Sequence, residues 1–235
     1  MIITNNFVYI HTSRQGGTFT NKLLLNFFPE AFQVGYHYQR EKLPSEYQNL
    51  PVIGFVRNPF DWYISMFHDY KRKKQIVYSV ASLQHPDNFK KTVKNMLNLG
   101  SGSNLSKKQL NMLIKYLPDK IKKPHQRTPA LIKSDFINFK DDMGYYSWLW
   151  RRMHIKNNRL DDVIYGKFEN LRDELIRLFK ITGVKITQQI ENYIYHHPKL
   201  NTSIRNNYRK YYDNELIDLI YKKDKLIFDM FSYTF

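Results

Sequence analysis

A short apolar run, Phe7-Val8-Tyr9-Ile10, leads into Gly16-Gly17 and then into a segment with helical spacing from Phe19 to Phe28, closed by Pro29. β-branched and aromatic residues in a run this short predict a buried strand. Leu23, Leu24, Phe27 and Phe28 fall on one side of the predicted helix, and proline cannot continue it. Strand, glycine turn and helix in this order build an anion site. The glycines let the backbone approach a phosphate, and the first N–H groups of the helix have no partner within it.

The same alternation continues down the chain. Ala31 to Tyr38 holds a second predicted strand, and Pro51 to Val56 the clearest one. Asn58 is placed to cap the next helix and Pro59 to occupy its first position. From about Lys71 to Lys133 the chain turns basic and polar and is interrupted by Gly100-Ser101-Gly102-Ser103. This stretch is read as an insertion, partly mobile, with short helices at Phe89–Leu99 and Lys107–Leu117. Further helices are expected at Met143–Met153, from Leu171 through Phe179, at Ile190–Tyr195 and, as one long amphipathic element, at Tyr211–Phe231. A strand is expected at Asp162–Tyr165. The expected fold is one three-layer α/β domain over residues 1–235, with a central, mainly parallel sheet between helices.

Composition narrows the partners. Lys and Arg number 37 against 21 Asp and Glu, a net charge of +16, which favours anionic ligands. A polyphosphate nucleotide, a sulfated glycan, nucleic acid and an anionic membrane face all qualify. With no cysteine in the chain, a disulfide framework and a thiolate metal site are excluded. The first residues lack the pattern of a signal peptide, and no apolar run is long enough to span a bilayer, so a cytoplasmic protein without a transmembrane segment is expected.

Two motifs carry the chemistry. Ser13-Arg14-Gln15-Gly16-Gly17-Thr18 follows the first strand, with Arg14 as a cation and Thr18 as a hydroxyl donor. It does not have the Walker spacing, since no Lys-Ser or Lys-Thr follows the glycines. Val56-Arg57-Asn58-Pro59 through Ser65 places an arginine at a strand's carboxyl end and a serine two turns into the following helix. The carboxyl edge of a parallel sheet is where ligands bind.

Together these motifs resemble the PAPS-dependent sulfotransferases, in style nearest to the carbohydrate O-sulfotransferases. The first is similar to the family's 5′-phosphosulfate loop, usually Pro-Lys-Thr-Gly-Gly-Thr, and the second to its 3′-phosphate motif. Gly166-Lys167-Phe168-Glu169-Asn170-Leu171 is similar to a late family segment, and Asn201-Thr202-Ser203 and Tyr211-Tyr212 follow in family order. The resemblance implies a P-loop-like sulfotransferase fold that binds PAPS as co-substrate and needs no metal. Arg14, Gln15, Gly16, Gly17, Thr18 and Phe19 would then bind the donor's 5′ end. Arg57 and Ser65 would bind the 3′-phosphate, joined by Asn201, Ser203 and Arg205. The chain departs from the family at Arg14, which stands where the family has lysine and keeps the charge without its compact geometry.

Sulfuryl transfer needs a base for the acceptor proton. The family's polysaccharide O-sulfotransferases place a histidine between the two motifs, where this chain has His37. Arg14 would serve the leaving phosphate oxygen. Glu41 is the fallback base, and His11 is better suited to supporting the loop. The acceptor is a hydroxyl, with carbohydrate as one class. Two other classes compete. A P-loop kinase or NTPase would require magnesium and the missing lysine. A basic nucleic-acid-binding module would draw on the charge and the interleaved tyrosines, without a recognised motif. The aromatic cluster Tyr145–Trp150 reads as core, and His196-His197 lacks a third metal ligand.

Overall fold

The computed structural model describes residues 1–83, 85–121, 131–137, 139, 142–200 and 207–235. In chain order the elements are β1 (Ile2–Ile3), β2 (Val8–Ile10), α1 (Gly17–Phe27), β3 (Phe32–Gln33), β4 (Val52–Val56), α2 (Pro59–Arg72), α3 (Ile76–Ser82), α4 (Phe89–Leu97) and α5 (Asn104–Tyr116). Then follow α6 (Ser134–Ile137), α7 (Tyr145–His154), β5 (Val163–Lys167), α8 (Leu171–Ile181), α9 (Gln188–His196), α10 (Asn214–Lys223) and α11 (Lys225–Phe231). No helix among the described residues is long and apolar enough to cross a membrane.

The chain divides into two compact units. The first comprises, of the described residues, 1–57 and 150–200. It is an α/β unit whose five strands are ordered β3-β1-β2-β4-β5. β2, β4 and β5 pair in parallel, with Val8 opposite Val52 and Ile53 opposite Ile164. β1 pairs antiparallel with both β2 and β3. The sheet is therefore mixed, where a mainly parallel one was expected. The cause is β1, a two-residue strand that enters next to β2 through a tight turn in which Thr4 N–H donates to the Phe7 carbonyl. A short hairpin of this kind can only be antiparallel.

Side chains alternate between the two faces of the sheet. Ile2, Tyr9, Ile53 and Phe55 pack with Phe19, Leu23 and Leu24 of α1, Leu175, Leu178 and Phe179 of α8, and Ile190 and Ile194 of α9. Ile3, Val8, Ile10 and Val52 face the other way, onto Leu43 and Met153. Burial on both faces explains why these strands read as continuous apolar runs. β3 and β5 are the sheet's outer strands, and Arg177 donates to the Tyr165 carbonyl of β5 at 2.5 Å.

The second unit comprises, of the described residues, 58–121, 131–149 and 207–235. Asn58 caps α2 as expected, its side chain accepting from Phe60 N–H at 3.0 Å, with Pro59 in the first turn. Trp62 stacks on Tyr146 at 4.5 Å, and Phe60 sits among Tyr212, Tyr221, Phe228 and Phe235. Tyr145 and Tyr146 are fully buried, as the core reading of that cluster required. The basic stretch carries α3, α4 and α5, which bury Val77, Val80, Val93, Met96 and Leu113. Asn95 and Gln109 reach across to the carbonyls of Ala81 and Val80. α3 has no counterpart in the sequence reading.

The long helix expected over Tyr211–Phe231 is instead two, broken at Asp224. That carboxylate turns inward and accepts the Ser147 N–H at 2.9 Å, in the first turn of α7. Beside it the Lys223 carbonyl accepts from Gly144 N–H at 2.8 Å. The helix yields its continuity to cap another helix.

Candidate active site

β2 and β4 are adjacent parallel strands, so the segments leaving their carboxyl ends emerge side by side. One is the turn 13–16 leading into α1, and the other begins at Arg57.

The glycine turn is obligatory in its chemistry. Gly16 has φ of +77° and stands at the N-cap of α1, and a Cβ there would lie 2.7 Å from Leu171 Cδ2. A Cβ on Gly17 would lie 1.9 Å from His11 Nε2, because the His11 imidazole occupies that space. Gly16 O accepts from the N–H groups of Phe19 and Thr20, closing the first turn.

Arg14 also adopts a left-handed conformation, with φ of +66°. For a non-glycine residue this costs about 1–2 kcal/mol. The Arg57 guanidinium donates to the Arg14 carbonyl at 2.7 Å and lies 4.1 Å over the Phe168 ring. Thus the segment Phe168-Glu169-Asn170-Leu171 meets both loops, Phe168 against Arg57 and Leu171 against Gly16. Three pieces of sequence, far apart in the chain, converge here. Neither spacing nor periodicity reveals this, and only the family resemblance grouped them.

His37 is buried, and its Nδ1 is 3.1 Å from the His11 carbonyl. A carbonyl only accepts, so Nδ1 carries a proton, and in the neutral form Nε2 would be the basic nitrogen. The His11 ring lies 4.5 Å from the rings of both His37 and Tyr36. Tyr36 OH is 3.3 Å from Thr18 Oγ1, so the turn bearing His37 also touches the start of α1. Burial, reinforced by neighbouring His37, holds the His11 pKa well below the ordinary histidine range.

The remaining expected residues divide as follows. Gln15 is buried in the turn. The Phe19 ring packs on Tyr193 and His197 in the core of the first unit. Its N–H is spent on the Gly16 carbonyl. Ser65 is buried on α2, in the second unit. Asn201, Ser203 and Arg205 lie outside the described residues. Glu41 is exposed on a short 3-10 turn next to Arg40, whose guanidinium is paired with Asp162 by two bonds of 2.6 Å. His197 Nδ1 lies 2.8 Å from the Pro198 carbonyl, and among the described residues no group of three His, Asp or Glu is placed to hold a metal.

A third buried histidine, His154, was missed in the sequence. The His154 ring rests on β4, where a Cβ on Gly54 would stand 2.6 Å from its Nε2, and its Nδ1 donates to the Trp150 carbonyl at 2.9 Å. Burial lowers its pKa to about 3.

The chain matches no family model, no curated protein and no solved structure.

Proposed function

We propose that the protein is a PAPS-dependent sulfotransferase with a P-loop-like fold, moving a sulfuryl group from PAPS to an acceptor hydroxyl, with carbohydrates the first class to try. The observation that carries this reading is the hydrogen bond from Arg57 to the Arg14 carbonyl. It joins two cation-bearing loops at the carboxyl ends of adjacent parallel strands, the arrangement a ligand with phosphate groups at both ends requires. In this reading the turn 14–18 takes the 5′-phosphosulfate end and Arg57 the 3′-phosphate. Arg14 offsets the charge that builds on the leaving phosphate oxygen as the S–O bond to it breaks. The acceptor oxygen forms the new S–O bond, and its proton passes to His37 Nε2. Positioning and fixed charge supply the rest, as in phosphoryl transfer.

Titration of the protein with PAP, the desulfated product, tests the reading. Binding that weakens in Arg57→Ala is expected, and absence of PAP binding by the folded wild type would overturn it. A nucleotide-binding protein without turnover is the second reading, favoured by the strained arginine in the lysine position. PAP binding combined with no release of PAP from PAPS, across hydroxyl acceptors, would select it.

A further inference from the structure

We propose that His11 is the positioning residue of this site, its ring wedging the His37 turn against the glycine turn and its carbonyl fixing the His37 tautomer. The ring fills the space that Gly17 leaves open and touches both His37 and Tyr36. The carbonyl of the same residue accepts the His37 Nδ1–H. One residue thus sets both where the His37 ring sits and which of its nitrogens is basic. His11 acts by shape. It is only 3% exposed, and its Nδ1 has no hydrogen-bond partner among the described residues. Kept uncharged by burial, it neither competes for the acceptor proton nor repels a protonated His37.

The catalytic part of this inference rests on the sulfotransferase reading, but the tautomer does not. Imidazole nitrogen shifts from two-dimensional NMR on the full chain report it directly. Wild-type His37 should show the Nδ1–H form above its titration. His11→Ala removes the wedge and should leave His37 as a mixture of tautomers, whereas His11→Phe, with a ring of similar size, should restore the single form. In turnover, His11→Ala should lower kcat by about tenfold to a hundredfold with little change in the KM for donor, and His11→Phe should recover it. An Nε2–H tautomer in the wild type would overturn the proposal. So would a folded His11→Ala with the tautomer unchanged, or a folded His11→Phe that loses it. If His11→Ala does not fold, the wild-type and His11→Phe spectra still decide. Failure of PAP to bind would remove the sulfotransferase reading and leave the tautomer result standing.

Discussion

The guanidinium of Arg57 donates to the main-chain carbonyl of Arg14 at 2.7 Å while its Cζ lies 4.1 Å over the Phe168 ring. A lysine can supply the charge at 57 but neither the planar stacking nor the forked donor geometry. Arg57→Lys should therefore lose about tenfold or more in PAP affinity, roughly the 1.5–3 kcal/mol of a charge-assisted hydrogen bond. Calorimetric titration at fixed ionic strength reads this. An affinity equal to wild type would show that charge alone is used.

Arg14 separates stability from binding. Its left-handed backbone favours glycine, so Arg14→Gly should be more stable than Arg14→Ala by about 1 kcal/mol, although both lack the guanidinium. Both should bind PAP more weakly than wild type. Denaturant unfolding of the two variants decides the first point, and equal midpoints would mean that the loop relaxes at no cost.

Gly17 and His11 share one space. Gly17→Ala should destabilise by about 1–3 kcal/mol, because its methyl would enter the imidazole. In a His11→Ala background the same change should cost much less. A double-mutant cycle measures this coupling, and strict additivity would argue against direct contact.

Asp224 should make stability fall as pH rises. Burial raises its pKa from 3.8 to about 6, opposed in part by hydrogen bonds from Ser147. Between those values the folded state holds a proton that the unfolded state has lost. The stabilisation is thus complete below about pH 4 and lost as pH passes 6, a change of about 3 kcal/mol. Asp224→Asn should abolish this term while keeping an acceptor for the Ser147 N–H. The difference in unfolding free energy between wild type and variant, followed from pH 4 to 7, tests it.

His154 should act in the opposite sense. Its pKa falls from 6.5 to about 3 through burial, so the unfolded chain binds a proton that the folded chain refuses. Stability from this group is full above about pH 6.5 and declines toward pH 3, by about 5 kcal/mol at the limit. His154→Gln should flatten that acid limb, measured by unfolding at pH 4 and pH 7.

The legible parts of the fold are those decided locally. Asn58 and Pro59 mark the start of α2 because a cap is satisfied within a few residues, and Gly16 marks the turn because its left-handed φ favours glycine. The α4 and α5 helices show in their apolar spacing. The break at Asp224 does not show, because the N–H that causes it belongs to Ser147, 77 positions away. β1 is two residues long, too short for any periodicity, yet it makes the sheet mixed. At the site, the chemistry of the two arginine loops is readable from residue types. The placement of Phe168 under Arg57 and of His11 between Gly17 and His37 is not, since both are set by strand register.

The outer strands of the sheet bear on how the molecule behaves when concentrated. β3 offers only two residues of open edge, and on β5 the Tyr165 carbonyl is already taken by Arg177. A neighbouring chain seeking to extend the sheet finds too short a template on one side and an occupied acceptor beside a cation on the other. A short edge on one side and a cation on an edge acceptor on the other both work against extension of the sheet by a second chain.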